Sequence, residues 1–329
     1  MTGRLLLTGA AGFLGGHVLN RLRADGIQVT CAARPGGGAR MAAAIGSAAP
    51  GVEIVEGSLS DHGDCRRLLD GCSTVVHLAA AKTGHASGLF AGSVTPTRVL
   101  AGAAAASGIT RFVHVSSLGV YAPPARRGLA LTEASPVEPS PELRDPYTFS
   151  KVAQERVVMD AAAASGLPVV IVRPGVIYGP GSSYMTPRVG LGAGGFFCVM
   201  GGKHRLPYTF VTNCADAIVR AACTSGIDGE VFNVIDDELP TGRDLVAFAD
   251  RHGRRARTIR IPSAVVPLMA STYEWCASKV PGLLPTAVTN YRARAQWTPV
   301  RYSNAKAKAQ LNWQPLVPLA DALRACGAA

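Results

Sequence analysis

Tyr147 and Lys151 stand four residues apart in the stretch Asp-Pro-Tyr-Thr-Phe-Ser-Lys. Asp145 suits the N-cap of a helix and Pro146 its first position, so Tyr147 falls in the first turn. A spacing of four puts the phenol and the ammonium on one helical face. A neighbouring cation favours the phenolate, so Lys151 is expected to lower the Tyr147 pKa and make it a proton donor and acceptor near neutral pH. Alone the pair is a weak signal. Its weight comes from what precedes it.

The chain opens with an apolar strand, Arg4-Leu5-Leu6-Leu7, running into Thr8-Gly9-Ala10-Ala11-Gly12-Phe13-Leu14-Gly15. Glycines at this spacing let backbone approach a pyrophosphate, and the following helix offers free N–H groups and the positive end of its dipole. That helix runs to about Asp25, where Gly26 supplies a stop. A second strand follows, from Ile27 to Ala33. Strand, glycines, helix and strand in this order predict a dinucleotide site.

Further strands are expected near 52–56, 73–78, 111–116 and 168–173, alternating with helices. The helix begun at Asp145 should end at Gly166. This alternation is the mark of an α/β fold with a doubly wound parallel sheet. Beyond Gly181 the pattern loosens, then Gly229 to Ile235 reads as another strand of the main sheet. The expected division is a dinucleotide-binding domain over 1–181, to which 213–252 returns in part. A smaller, discontinuous substrate lobe would then comprise 182–212 and 253–329.

Together these residues resemble the extended short-chain dehydrogenase/reductase family over nearly the whole chain. Val75-Val76-His77-Leu78-Ala79-Ala80-Ala81 resembles the fourth strand, and Phe112 to Tyr121 the fifth with its catalytic serine. Ser117 fits that serine by its spacing to Val120-Tyr121, with Ser116 the alternative. Val170 to Gly181 resembles the strand and loop between cofactor and substrate regions, and Leu311-Asn312-Trp313-Gln314-Pro315 the closing tail. The resemblance implies dinucleotide contacts at Gly9, Ala11, Gly12, Phe13, Leu14 and Gly15, then at Arg34, Ser58 and Leu59. It adds Leu78, Ala79, Ala80, Lys82, Val115, Tyr147, Lys151, Pro174, Gly175 and Val176. Ser117, Tyr147 and Lys151 would be catalytic in hydride transfer between a nicotinamide and a ketone or secondary alcohol. A homodimer is also implied.

Cofactor choice follows from one region. An acidic residue about twenty positions past the glycines usually holds the adenosine ribose in NAD enzymes. Here the sequence is Cys31-Ala32-Ala33-Arg34-Pro35-Gly36-Gly37-Gly38, without a carboxylate. Arg34 could pair with a 2′-phosphate, which favours NADP(H) over NAD(H). Arg34 stacked on adenine, with NAD bound, is the alternative. Ser58 stands where relatives often carry Asp, and Ser93 where they carry an Asn linked to a helix kink or proton relay.

Within the family, dehydration is disfavoured because Leu118 and Gly119 follow Ser117 where an acidic pair is needed. Val176 replaces the Asn that holds a diphosphate in nucleotide-sugar enzymes. Arg205 to Ala215, with Val211-Thr212-Asn213, resembles the 3β-hydroxysteroid dehydrogenase and dihydroflavonol reductase side. Val176, Tyr178, Phe196, Phe197, Met200, Tyr208 and Phe210 would suit a mainly apolar ketone, with Gly190 to Gly195 as a lid or a filling loop. A nucleotide-sugar 4-epimerase with tightly held NAD is the second reading, its diphosphate held by Arg173, Arg188 or Arg205. A non-catalytic dinucleotide sensor is the third, and the Ser-Tyr-Lys set argues against it.

Bulk properties narrow the class. The 329 residues, 48% hydrophobic, can bury a sizeable core. Eight cysteines without paired spacing indicate neither zinc nor a disulfide framework, and they read as small buried apolar residues. No apolar run is long enough to span a bilayer, so the chain is expected to be soluble and cytoplasmic, with no membrane partner. The net charge of +11 is dispersed, with a small cluster at Arg254, Arg255, Arg257 and Arg260, and no nucleic-acid reader motif accompanies it.

Overall fold

In the computed structural model the described residues are 3–46, 50–81, 84–193, 195–200, 202–253, 257–279 and 289–327. Seven strands form the central sheet: β1 (Arg4–Thr8), β2 (Val29–Ala33), β3 (Val52–Glu56), β4 (Cys72–His77), β5 (Arg111–Val115), β6 (Val169–Pro174) and β7 (Val231–Val234). Their order is β7-β6-β5-β4-β1-β2-β3, and every pairing is parallel. β5 and β6 are buried along their full length because helices cover both faces, which is why they read as continuous apolar runs.

One face carries α1 (Phe13–Ala24), and the other carries α2 (His62–Leu69), α3 (Thr95–Ala106) and α4 (Pro146–Ser165). The helix Val211–Cys223 packs against α1, in a core shared with Trp313 of the tail. Helix punctuation follows the sequence. Asp145 caps α4 by accepting from Thr148 N, and Gly166 ends it at φ +71°.

The order reverses between β1 and β4, the crevice where ligands sit in such sheets. Beyond it, Gly190–Ala193, Phe196–Met200 and Arg257–Ile261 form a three-stranded sheet flanked by the helices Val266–Lys279 and Asn290–Trp297. Residues 190–193 of the Gly190 stretch therefore form a strand where a loop was expected, and Leu191 lines the cleft described below. The strand pairs antiparallel with Phe196–Met200, and a Cβ at Gly190 would come within 2.1 Å of the Cys198 carbonyl.

The expected apolar pocket is also corrected. Tyr178, Tyr208 and Phe210 are at most 5% exposed and pack on one another edge to face as core. Of the seven residues named for that pocket, Val176 alone lines the cleft described below. Asn213 holds the fold together, since its side chain bonds Asp236 Oδ1 and both backbone groups of Val317 and so ties the tail to the end of β7. Cys31, Cys65 and Cys214 are buried, whereas Cys223 is exposed. No described helix is long and apolar enough to cross a membrane. No cluster of His, Cys, Asp and Glu that could hold a metal occurs among the described residues.

Candidate active site

A cleft of about 1530 Å³ runs along the C-terminal ends of the sheet strands. Its lining includes Gly9, Ala11, Gly12, Phe13, Leu14, Gly15, Arg34, Ser58, Leu59, Leu78, Ala79, Ala80, Val115, Pro174, Gly175 and Val176. Ser117, Tyr147 and Lys151 line the same cleft. Lys82, named from the sequence with this set, lies outside the described residues, as do Arg254 and Arg255.

The glycine turn has the shape a pyrophosphate needs. Gly9 adopts φ +76°, and Gly12 N bonds back to its carbonyl at 3.0 Å. A Cβ at Gly15 would lie 2.0 Å from Gly9 O, so the turn closes only around glycine. Gly12 caps α1 without a side chain, which leaves the first-turn N–H groups for an anion. The residues present thus fit a dinucleotide.

Behind the turn, Thr8 Oγ1 accepts from Leu78 N and Ala79 N, both at 3.2 Å. Its hydroxyl then donates to His77 Nδ1 at 2.8 Å. On the other side His77 Nε2 meets Thr97 Oγ1 at 2.8 Å, and Thr97 itself donates to Ser93 O. This pattern assigns His77 as the neutral Nε2–H tautomer, and burial with the nearby Lys151 charge pushes its pKa down to about 3. Gln154 Nε2 completes the network on Thr97 Oγ1 at 2.7 Å. With Ser93 in this place the helix still departs from α geometry. Residues Phe90–Val94 form one π-helical turn, and the fully buried Ser93 Oγ accepts from Ala81 N.

At the adenosine end the sequence reading missed two residues. Arg40 lines the cleft beside Arg34. Glu56, distant from Arg34 in sequence, accepts from Gly36 N and Gly38 N at 2.7 Å each. These backbone donors hold its carboxyl below the usual range and turn it under the loop, outside the cleft. Only topology could reveal it, since β3 lies beside β2. Ser58 N donates to Asp64 Oδ2 at 2.7 Å, which fixes the neighbouring loop.

At the other end, Lys151 is 4% exposed and its Nζ donates to Val115 O at 2.9 Å. Ser117 Oγ accepts from Gly119 N at 3.1 Å, which orients it at the strand end. Ser116 Oγ is buried with no partner among the described residues. The expected direction for Tyr147 is reversed: burial, then the Asp145 charge, push its phenol up to about 12. Both causes raise it, and no lowering by Lys151 opposes them.

Two of the three arginines considered for a diphosphate are committed elsewhere. Arg173 forms a buried two-point pair with Glu155 at 2.9 and 2.6 Å, and Arg205 donates to Leu239 O away from the cleft. Arg188 does line it, together with Arg144 and Arg292.

Comparison with known proteins agrees with this geometry. The model of the NAD dependent epimerase/dehydratase family matches residues 5–234. The chain is 27% identical to a 3 beta-hydroxysteroid dehydrogenase/Delta 5-->4-isomerase of Mycobacterium tuberculosis, over 98% of this chain and 89% of that protein. It is 29% identical to a 4-hydroxy-2-methyl-3-oxo-4-farnesyl-3,4-dihydroquinoline-1-oxide ketoreductase of Stigmatella aurantiaca, over 79% and 76% respectively. Among solved structures, UDP-Glucuronic acid 4-epimerase from Bacillus cereus in complex with NAD superposes with a TM-score of 0.73. That match covers 99% of this chain and 97% of the other at 20% identity, a likeness of fold. A parallel sheet with a glycine turn at its switch point, matched over most of its length, makes this chain a member of the NAD dependent epimerase/dehydratase family of enzymes.

Proposed function

We propose that the protein is an NADP(H)-dependent oxidoreductase that interconverts a ketone and a secondary alcohol. The observation that carries this reading is a single cleft with Arg34 and Arg40 at one end and Ser117, Tyr147 and Lys151 at the other. Segments 1–181 and 213–252 are read as the cofactor side, and 182–212 with 253–329 as the substrate lobe. The relatives named as a dehydrogenase and a ketoreductase support hydride chemistry at a carbinol carbon.

When bound, the nicotinamide supplies or accepts the hydride. Tyr147 then gives a proton from its Oη to the carbonyl oxygen, and a phenol held near 12 is fully protonated at neutral pH, as reduction requires. Ser117 Oγ–H donates to the same oxygen and stabilises its developing charge. Lys151, anchored on Val115 O, orients the cofactor ribose beside Tyr147. The 4-epimerase reading has less support: Val176 offers no donor, and Arg173 and Arg205 are engaged away from any diphosphate.

Cofactor exchange tests the proposal. The purified protein should bind NADPH reversibly, at least about tenfold more tightly than NADH, roughly 1.4 kcal/mol, and consume it stoichiometrically with ketone. NAD released only on denaturation, with no net consumption, would overturn it in favour of epimerisation.

A further inference from the structure

The substrate end of the cleft is more cationic than an apolar ketone would need. Arg144, Arg188 and Arg292 line it, and its single acid among the described residues, Asp145, has both oxygens engaged by Thr148. Arg144 is neutralised by the buried Glu138 at 2.9 Å and also donates to the carbonyls of Tyr121 and Gly119. Arg292 donates to the carbonyls of Leu143 and Arg144. Arg188 differs: no carboxylate pairs with it among the described residues, and its guanidinium meets the Tyr302 phenol.

Arg188 is also held from behind. Thr186 O accepts from Val189 N at 2.9 Å, closing a turn around it. Tyr208 Oη bridges Thr186 Oγ1 and Tyr184 O, both at 2.8 Å. Trp297 Nε1 donates to Pro187 O at 3.0 Å, which fixes the residue before it. A half-buried cation on a rigid turn, beside Leu191 and Trp297, is arranged to receive an anion at the end of a short apolar stem.

We infer that the substrate is an oxo acid whose carboxylate is bound by Arg188. This rests on the oxidoreductase reading above. A guanidinium presents five N–H groups in a planar fork, so donors remain for a two-point carboxylate contact after Tyr302. One guanidinium without a carboxylate partner among the described residues matches a monoanion better than a diphosphate.

The test is steady-state reduction, with NADPH, of straight-chain oxo acids, their methyl esters and the corresponding ketone phosphomonoesters, by wild type, Arg188→Gln and Arg188→Lys. Wild type should prefer acid to ester at least about tenfold in kcat/KM, and Arg188→Gln should bring that ratio close to unity, with Arg188→Lys between them. An equal rate on acid and ester, or a preference that survives Arg188→Gln, overturns the inference and leaves the oxidoreductase reading standing. A preference for the phosphomonoesters overturns the carboxylate. If no ketone is reduced, the oxidoreductase reading fails and binding decides. Saturation-transfer NMR of the oxo acid on the NADPH complex supports the inference if the signal is lost in Arg188→Gln, and overturns it if wild type gives none. Melting curves of both variants verify folding.

Discussion

Removing Arg34 and Arg40 separates phosphate recognition from dinucleotide binding in general. Both guanidiniums line the adenosine end, and neither has a carboxylate partner among the described residues. A charge-assisted hydrogen bond to phosphate contributes about 1.5–3 kcal/mol when shielded. Both side chains are exposed, so solvent screening reduces each toward about 0.5–1 kcal/mol. The double variant Arg34→Ala/Arg40→Ala should then weaken NADPH by about 1–2 kcal/mol, roughly five- to thirtyfold in Kd. NADH, which lacks the 2′-phosphate, should change by less than about threefold. Nicotinamide fluorescence titrations give both constants. Raising the salt from about 0.05 to about 0.5 M should shrink the wild-type preference and leave the double variant nearly unmoved. Equal losses for NADPH and NADH would refute phosphate recognition and point to Arg34 stacked on adenine.

Other outcomes follow from the same geometry. With Tyr147 held near 12, ketone reduction uses the protonated phenol and should stay flat from about pH 6 to about pH 9. Alcohol oxidation uses the phenolate and should rise with pH over that span; a reduction rate falling near neutrality would contradict the assignment. Gly15→Ala, whose Cβ would meet Gly9 O at 2.0 Å, should abolish measurable NADPH binding, read by the same titration. Glu155→Gln leaves the buried Arg173 charge without its partner and should cost about 3–5 kcal/mol in denaturant unfolding. The double variant Glu155→Leu/Arg173→Met should recover much of that loss.

Most of the fold was legible because its signals are local. Glycine spacing, the Asp145-Pro146 helix start and short apolar runs each fix an element without reference to distant residues. The first helix, the Tyr147 helix and all seven central strands lie within a few residues of their expected bounds. Long-range facts were hidden. Glu56 under the Gly36 loop, Arg40 in the cleft and the Glu155–Arg173 pair depend on which strands become neighbours. The aromatic residues after Gly175 carried no sign of whether they face a pocket or the core, and Tyr178, Tyr208 and Phe210 went to the core. The direction for Tyr147 failed for a similar reason. A spacing of four places Lys151 on the same helical face but says nothing of burial, which sets the direction.

The most direct test of the central claim is ketone-dependent NADPH oxidation by Tyr147→Phe beside wild type. Proton donation by Tyr147 predicts a fall in kcat of at least about a hundredfold, with the NADPH Kd changed by less than about threefold. Activity within about tenfold of wild type, with cofactor still bound, would contradict Tyr147 as the proton donor.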